Sequence, residues 1–190
     1  MEVRIERAEK KDAEFISDTI LRAVGHEING MIDDDQTDKK KLRQLFRLLA
    51  EREDTQYSYR NTLMARDDKG VALGALVSYD GADLKRLRKV FIETANRLMN
   101  WGIDEARIHD ETGPGEIYID SLMVLPEYRG KGIARKLIEA TMERHKEAGK
   151  PFGLIVSPEN SSALKLYEKM GFHKVGTTRF LGEDMLHLQR

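Results

Sequence analysis

A strand, a glycine-containing loop and a helix follow one another between residues 116 and 148, and this order limits the folds open to the chain. Residues 116–125 alternate in polarity as a strand does, and Pro126 ends that strand. Gly130 and Gly132 lie in the loop, and the following apolar spacing predicts a helix that stops at Gly149. A strand that leads directly into a helix through a short loop is typical of a sheet covered by helices.

The loop itself suggests an anion site. The first N–H groups of a helix have no partner inside the helix, and Gly130 and Gly132 let a ligand approach the backbone closely. Arg129 and Lys131 add positive charge, so the loop suits a diphosphate. It is not a dinucleotide-binding fingerprint, because that motif needs a third glycine. It is not a P-loop either, because no Gly-Lys-Ser/Thr follows. The alternative is a glycine-containing turn before an ordinary helix.

The remaining sequence predicts one mixed α/β domain over residues 1–190, built around a single central sheet. Its alternating or continuous apolar runs predict strands at residues 3–7, 61–66, 71–79, 116–125, 152–156, 172–180 and 185–188. Leu84, Leu87 and Phe91 predict a helix within residues 81–112, in which the basic side chains of residues 85, 86, 88 and 89 should be mostly solvated.

Composition excludes several classes of function. The formal net charge of -1 argues against broad binding of nucleic acid. The chain has no cysteine, so a disulfide, a thiolate metal site and a cysteine acyl-enzyme are excluded, and the five histidines show no metal-ligand spacing. No apolar run approaches the ~20 residues of a membrane span, and the N-terminus does not resemble a signal peptide. We therefore expect a cytoplasmic protein without a metal site.

Two segments resemble the GNAT superfamily of N-acetyltransferases. The loop from Arg129 to Ala134 fits the family pattern Arg/Gln-x-x-Gly-x-Gly/Ala, and the preceding residues 122–128 read Leu-Met-Val-Leu-Pro-Glu-Tyr. Residues 160–172 fit Asn-x-x-Ala-x-x-Leu-Tyr-x-x-x-Gly-Phe. The resemblance covers residues 116–176 closely, and before them it extends only to the architecture.

This resemblance implies a mixed, mostly antiparallel sheet of about seven strands flanked by helices, and acetyl-CoA as co-substrate. The strands that end at Val124 and Val156 would separate to admit the thioester. Asn160 would lie beside the cofactor, although it would serve equally well as a cap for the next helix. The backbone would bind the pantetheine arm through Leu122, Met123 and Val124, and the pyrophosphate through Arg129, Gly130, Lys131, Gly132, Ile133 and Ala134.

Three side chains are candidates for proton transfer. Tyr167 matches the tyrosine that the family uses as general acid toward the CoA sulfur; its alternative role is packing in an amphipathic helix. Asp120 is the first candidate for general base, because a carboxylate near the middle of a strand is costly to bury without a use. Glu116, on the same face of the strand, is the second. The alternative for Asp120 is an ion pair or a loop cap.

The resulting hypothesis is transfer of an acetyl group to a primary amine by direct attack in a ternary complex. The alternative is a non-catalytic acyl-CoA-binding or sensing module. The acceptor, a small-molecule or a protein amine, would be shaped by residues 12–56 and 80–115, which carry no recognisable motif. Residues 81–112 form a predicted helical insertion that either covers the acceptor cleft or makes a homodimer contact.

Overall fold

The computed structural model describes residues 2–28 and 36–190, apart from the side chains of residues 24–28 and 36. Its five α-helices are α1 (Ala13–Ile28), α2 (Gln36–Ala50), α3 (Leu84–Met99), α4 (Ile133–Arg144) and α5 (Ser161–Lys169). Its strands are β1 (Arg4–Arg7), β2 (Thr62–Arg66), β3 (Ala72–Asp80), β4 (Ile117–Val124), β5 (Phe152–Val156), β6 (His173–Phe180) and β7 (Glu183–Gln189). No helix of the described ranges is long and apolar enough to cross a membrane.

All seven strands form one sheet in the order β1-β2-β3-β4-β5-β7-β6. Every neighbouring pair is antiparallel except β4 and β5, which are parallel. The predicted mixed, mostly antiparallel sheet of about seven strands is therefore confirmed. A parallel pair needs a crossover connection, and α4 supplies it between β4 and β5.

Helices cover both faces of the sheet. Successive strand residues point to opposite faces, so each face has its own core. Met64, Ala75 and Val77 belong to a core shared with α1 and α2, to which α3 contributes Ala95. Leu63 and Leu76 point the other way, into a core shared with α4 and α5. A third, smaller cluster places Leu84 and Leu87 of α3 against Tyr79 and Tyr118, on the α1 side of the sheet.

Strands β4 and β5 stay together over only two register pairs, Ile117 with Phe152 and Tyr118 with Gly153. Beyond them β5 continues beside β7 as far as Val156, while β4 continues beside β3 as far as Val124. The two strands therefore part, as the family resemblance implied, and the last residues of β4 have no strand on their β5 side.

The carboxylate of Glu116 lies where the parallel pair begins. Glu116 is buried, and its oxygens accept hydrogen bonds from Oγ1 of Thr112 (2.6 Å) and Nε2 of Gln189 (2.7 Å). Nε2 of His187 lies 2.9 Å from Oε2 of the same carboxylate. The carboxylate covers the Cα of Gly153, so that it links the loop before β4 to β5 and β7.

Three predicted element ends differ from the structure. Gly25 in the sequence predicts the end of the first helix, but α1 continues to Ile28, since a glycine inside a helix costs only about 1 kcal/mol. The helix predicted to stop at Gly149 ends at Arg144, and a 3-10 turn over Lys146–Ala148 precedes that glycine. The last hairpin was expected to turn over residues 181–184. It turns over Leu181 and Gly182 alone, both with positive φ, as the tightest hairpin turns require.

The Glu116 contact predicts that Gly153→Ala is destabilising. The added Cβ would lie 1.7 Å from Oε2 and 2.1 Å from Cδ of Glu116, so the carboxylate has to leave its three partners. We expect the free energy of unfolding to fall by about 1–3 kcal/mol, measured by urea denaturation. Gly176→Ala in β6 is the matched control, because its Cβ meets no atom within 4 Å. Equal losses in the two variants would contradict this account.

Candidate active site

A cavity of about 780 Å³ occupies the gap between β4 and β5. Its walls come from both faces of the sheet: α1 on one side, and the start of α4 together with α5 on the other. It brings together most of the residues predicted for the site, namely Asp120, Leu122, Met123, Val124, Arg129, Gly130, Gly132, Ile133, Ala134, Asn160 and Tyr167. Glu116 and Lys131 do not line it.

The glycine loop has the backbone that an anion site needs. Gly130 and Gly132 have φ of 74° and 76°, values that side-chain-bearing residues rarely adopt. Gly132 is the N-cap of α4, and no side chain caps that helix end. The N–H groups of the first turn are therefore free to bind a ligand. Lys131 does not line the cavity, and its ammonium lies 4.9 Å from the centre of the ring of Tyr128, which does.

Asn160 caps a helix and also lines the cavity. It is the N-cap of α5, where its Oδ1 accepts a hydrogen bond of 3.1 Å from the N–H of Ala163. It also lines the cavity, just past the end of β5. The cap fixes the side chain at the cavity wall, so capping and ligand contact do not exclude each other.

Tyr167 also packs and lines the cavity at once. Its ring meets Phe172 edge to face, with the ring centres 5.7 Å apart. The side chain is 9% exposed, and its hydroxyl forms no hydrogen bond within the described residues. Burial raises the pKa of Tyr167 to about 12. The hydroxyl is therefore protonated at neutral pH and has a hydrogen bond left to donate.

Asp120 lies at a β-bulge. Ser121 pairs with Val77 and Ile119 pairs with Ser78, so Asp120 has no partner on β3. Its carboxylate accepts hydrogen bonds from Oγ of Ser121 (2.7 Å) and the Tyr79 hydroxyl (3.0 Å). Burial raises the pKa of Asp120 to about 6, although both hydrogen bonds lower it. The group can therefore change its protonation state close to neutral pH.

Glu116 is placed differently from Asp120. All hydrogen bonds of its carboxylate join it to residues of the loop before β4 and of β7, and Glu116 does not line the cavity. Of the two carboxylates considered as bases, the structure brings only Asp120 to the gap.

A buried ion-pair cluster lies near Asp120, and no pattern in the sequence indicates it. Arg88 donates to Asp110 at 2.8 Å and to Glu111, and its side chain is only 4% exposed. The expectation that Arg88 is solvated is wrong. It follows Leu84 by four residues, which places it on the buried face of α3. Burial raises the pKa of Glu111 to about 7, and the charge of Asp120 contributes to that rise.

Three further cavity residues had no signal in the sequence. Arg22 and Ala23 come from α1, and Met185 comes from the start of β7. They lie far from the glycine loop along the chain, and only the sheet topology brings them to the gap. The region expected to shape the acceptor site, residues 12–56, also includes residues 29–35, which lie outside the described part of the chain.

Comparison with known proteins gives a consistent result. The model described as Acetyltransferase (GNAT) family matches residues 32–172. A solved structure titled "The crystal structure of acetyltransferase" is similar over 98% of both chains, with a TM-score of 0.76 and 27% identity. An N-acetyltransferase from Staphylococcus aureus Mu50 has the same fold, with a TM-score of 0.84 and 20% identity over 98% of this chain and all of its own.

Curated relatives match over shorter stretches. N-alpha-acetyltransferase 30 of Saccharomyces cerevisiae is 46% identical over 56 residues, which are 29% of this chain and 32% of the yeast protein. The mycothiol acetyltransferase of Nocardiopsis dassonvillei is 37% identical over 70 residues, which are 36% of this chain and 21% of that protein. The chain thus spans about a fifth to a third of these relatives.

The hydrogen bond from Tyr79 predicts a change in the titration of Asp120. Tyr79→Phe removes a donor that stabilises the carboxylate, so the pKa of Asp120 should rise above its value of about 6. The measurement is an NMR titration of the Asp120 carboxyl carbon. Tyr118→Phe removes a neighbouring buried hydroxyl that makes no hydrogen bond to Asp120, and it should leave that pKa nearly unchanged. An unchanged pKa in Tyr79→Phe would contradict the assigned bond.

Proposed function

The chain belongs to the acetyltransferase (GNAT) family, and from that premise we propose that it transfers an acetyl group from acetyl-CoA to a primary amine. One observation carries the proposal. A single cavity joins the uncapped glycine loop, the unpaired edge of β4, a protonated tyrosine and a carboxylate that titrates near neutral pH. A module that only binds acyl-CoA would need the first two features and neither of the others.

The residues of the gap fit acetyl-CoA. The amides from Gly130 to Ala134 would hold the diphosphate at the start of α4, where the helix dipole favours negative charge. Positive charge comes from four further cavity residues, in the loop, α4 and α5: Arg129, Arg135, Lys165 and Lys169. The backbone of residues 122–124 would hydrogen-bond the amides of the pantetheine arm as an added strand does. The thioester then lies in the gap between β4 and β5.

Asp120 would accept the proton that the amine loses, either directly or through a water. A free lysine-type amine has a pKa of about 10.4 and reaches the enzyme as an ammonium. A carboxylate with a pKa of about 6 is mostly ionised at neutral pH, and its half-buried position strengthens its attraction for that ammonium. The neutral amine nitrogen then bonds to the acetyl carbon as the carbon–sulfur bond breaks.

Tyr167 would stabilise the departing sulfur. Its hydroxyl is protonated, lines the cavity and has no partner among the described residues, so it can donate to the charge that develops on the CoA thiolate. No group of the chain is acylated in this scheme, since the amine attacks the thioester directly. Binding both substrates in one cavity removes much of the entropy cost of their encounter.

The test of this function is acetyl transfer to a panel of primary amines, followed by mass spectrometry. Tyr167→Phe should lower kcat by about 10²–10⁴-fold, because the thiolate loses its donor, while the Kd for acetyl-CoA changes little. Tyr59→Phe is the control, since the Tyr59 hydroxyl bonds Glu53 outside the cavity. Binding of acetyl-CoA without acetylation of any amine would instead favour the non-catalytic acyl-CoA module.

The pH dependence tests the role of Asp120. Protonated Asp120 cannot accept a proton, so kcat/KM should fall as the pH drops below about 6 and should level off above it. Asp120→Asn should lower the rate and abolish this acid limb. Glu116→Gln should keep the limb, because Glu116 does not reach the cavity. An acid limb that disappears in Glu116→Gln and persists in Asp120→Asn would reverse the assignment.

A further inference from the structure

We propose that the acceptor is a small amine that also carries a carboxylate, and that Arg22 binds this carboxylate. The inference rests on the proposed function and adds the class of acceptor. It starts from one observation: Arg22 and Asp120, two side chains of opposite charge, line the same cavity. A ligand with an ammonium at Asp120 and a carboxylate at Arg22 would give each of these side chains a partner of opposite charge.

The cavity has two sides, and Arg22 lies on the side away from the glycine loop. Asp120 bonds Tyr79, whose ring packs with Leu84 of α3, so the Asp120 carboxylate is on the α1 side of the sheet. Ile155 packs against the same cluster, and Met185 lies on this face because Leu186, next to it, belongs to the opposite core. The α1 side is therefore left for the acceptor when CoA binds at α4.

Arg22 is exposed and forms no ion pair or side-chain hydrogen bond among the described residues. Arg43 of α2 behaves differently, since its guanidinium lies 2.6 Å from a carboxylate oxygen of Asp18 on α1. An unpaired guanidinium at a cavity wall is a suitable partner for a carboxylate, because its planar set of donors matches the two oxygens.

The phosphates of CoA do not require Arg22. Four basic residues already line the cavity from the glycine loop, α4 and α5, on the face of the sheet opposite α1: Arg129, Arg135, Lys165 and Lys169. The α1 side of the cavity wall also carries the apolar side chains of Ala23, Ile155 and Met185. Such a wall suits the short hydrocarbon link between the amine and the carboxylate of one small molecule. A diamine would bring its second ammonium toward Arg22, where like charges repel.

The experiment compares three acceptors of equal length: 5-aminopentanoate, pentylamine and cadaverine (1,5-diaminopentane). Shorter amino acids, down to glycine, test other distances between the ammonium and the carboxylate. Each is compared with the alkylamine of the same number of carbons. We expect the preferred amino acid to have a kcat/KM at least about tenfold above that of its alkylamine and of the diamine. Arg22→Gln should remove this preference, and Arg22→Glu should reverse it toward the diamine.

Arg4→Gln is the matched control. Arg4 is an exposed arginine of the edge strand β1, outside the cavity, so its loss makes the same change in net charge. It should leave the order of acceptors and their rates unchanged. Thermal melting of all three variants shows whether each is folded.

Two outcomes would overturn the inference and leave the acetyltransferase function standing: equal rates for the three acceptors, or a preference that survives Arg22→Gln. Failure to acetylate any amine would count against the proposed function instead. Calorimetric titration of the amino acids into the CoA-saturated protein tests Arg22 in that case too. Binding of an amino acid that Arg22→Gln weakens supports the inference, and binding that is absent or unaffected overturns it.

Discussion

The site depends on the point at which β4 and β5 part. The two strands share only the register pairs at Ile117 and Tyr118, and then each follows its other neighbour. The Glu116 carboxylate secures the paired end by binding the loop before β4 and two residues of β7. The gap opens immediately beyond it. Most of the residues proposed to bind the substrates line that gap, so a carboxylate outside the gap helps to set the geometry of the site.

Burial raises the pKa of both groups proposed for proton transfer, with different results for their protonation at neutral pH. It raises the pKa of Tyr167 to about 12, which keeps a donor protonated. It raises the pKa of Asp120 to about 6, which leaves a carboxylate mostly ionised at neutral pH while making it a stronger base. The bonds from Tyr79 and Ser121 limit the second rise. One poorly solvated gap can therefore hold both a donor and an acceptor of protons.

The sequence reveals the parts of the site that depend on local chemistry. The loop glycines, the capping Asn160 and the strand before the loop all have signals within a few residues of themselves, and the sheet class follows from the same patterns. Long-range pairing decides the rest. The bulge that leaves Asp120 unpaired depends on the register of β3 against β4. Arg22 reaches the gap only because α1 packs on the sheet. The sequence ranks Glu116 second to Asp120 as a base, and it gives no sign that the Glu116 carboxylate is bound by β7.

The opening through the sheet has a kinetic consequence. The loop that would hold CoA and the side chains that would hold the acceptor lie toward opposite faces, with the reacting atoms meeting between the strands. With the substrates bound as proposed, neither would have to cross the other's binding surface to arrive or to depart. The proposed arrangement would therefore be compatible with either order of substrate addition.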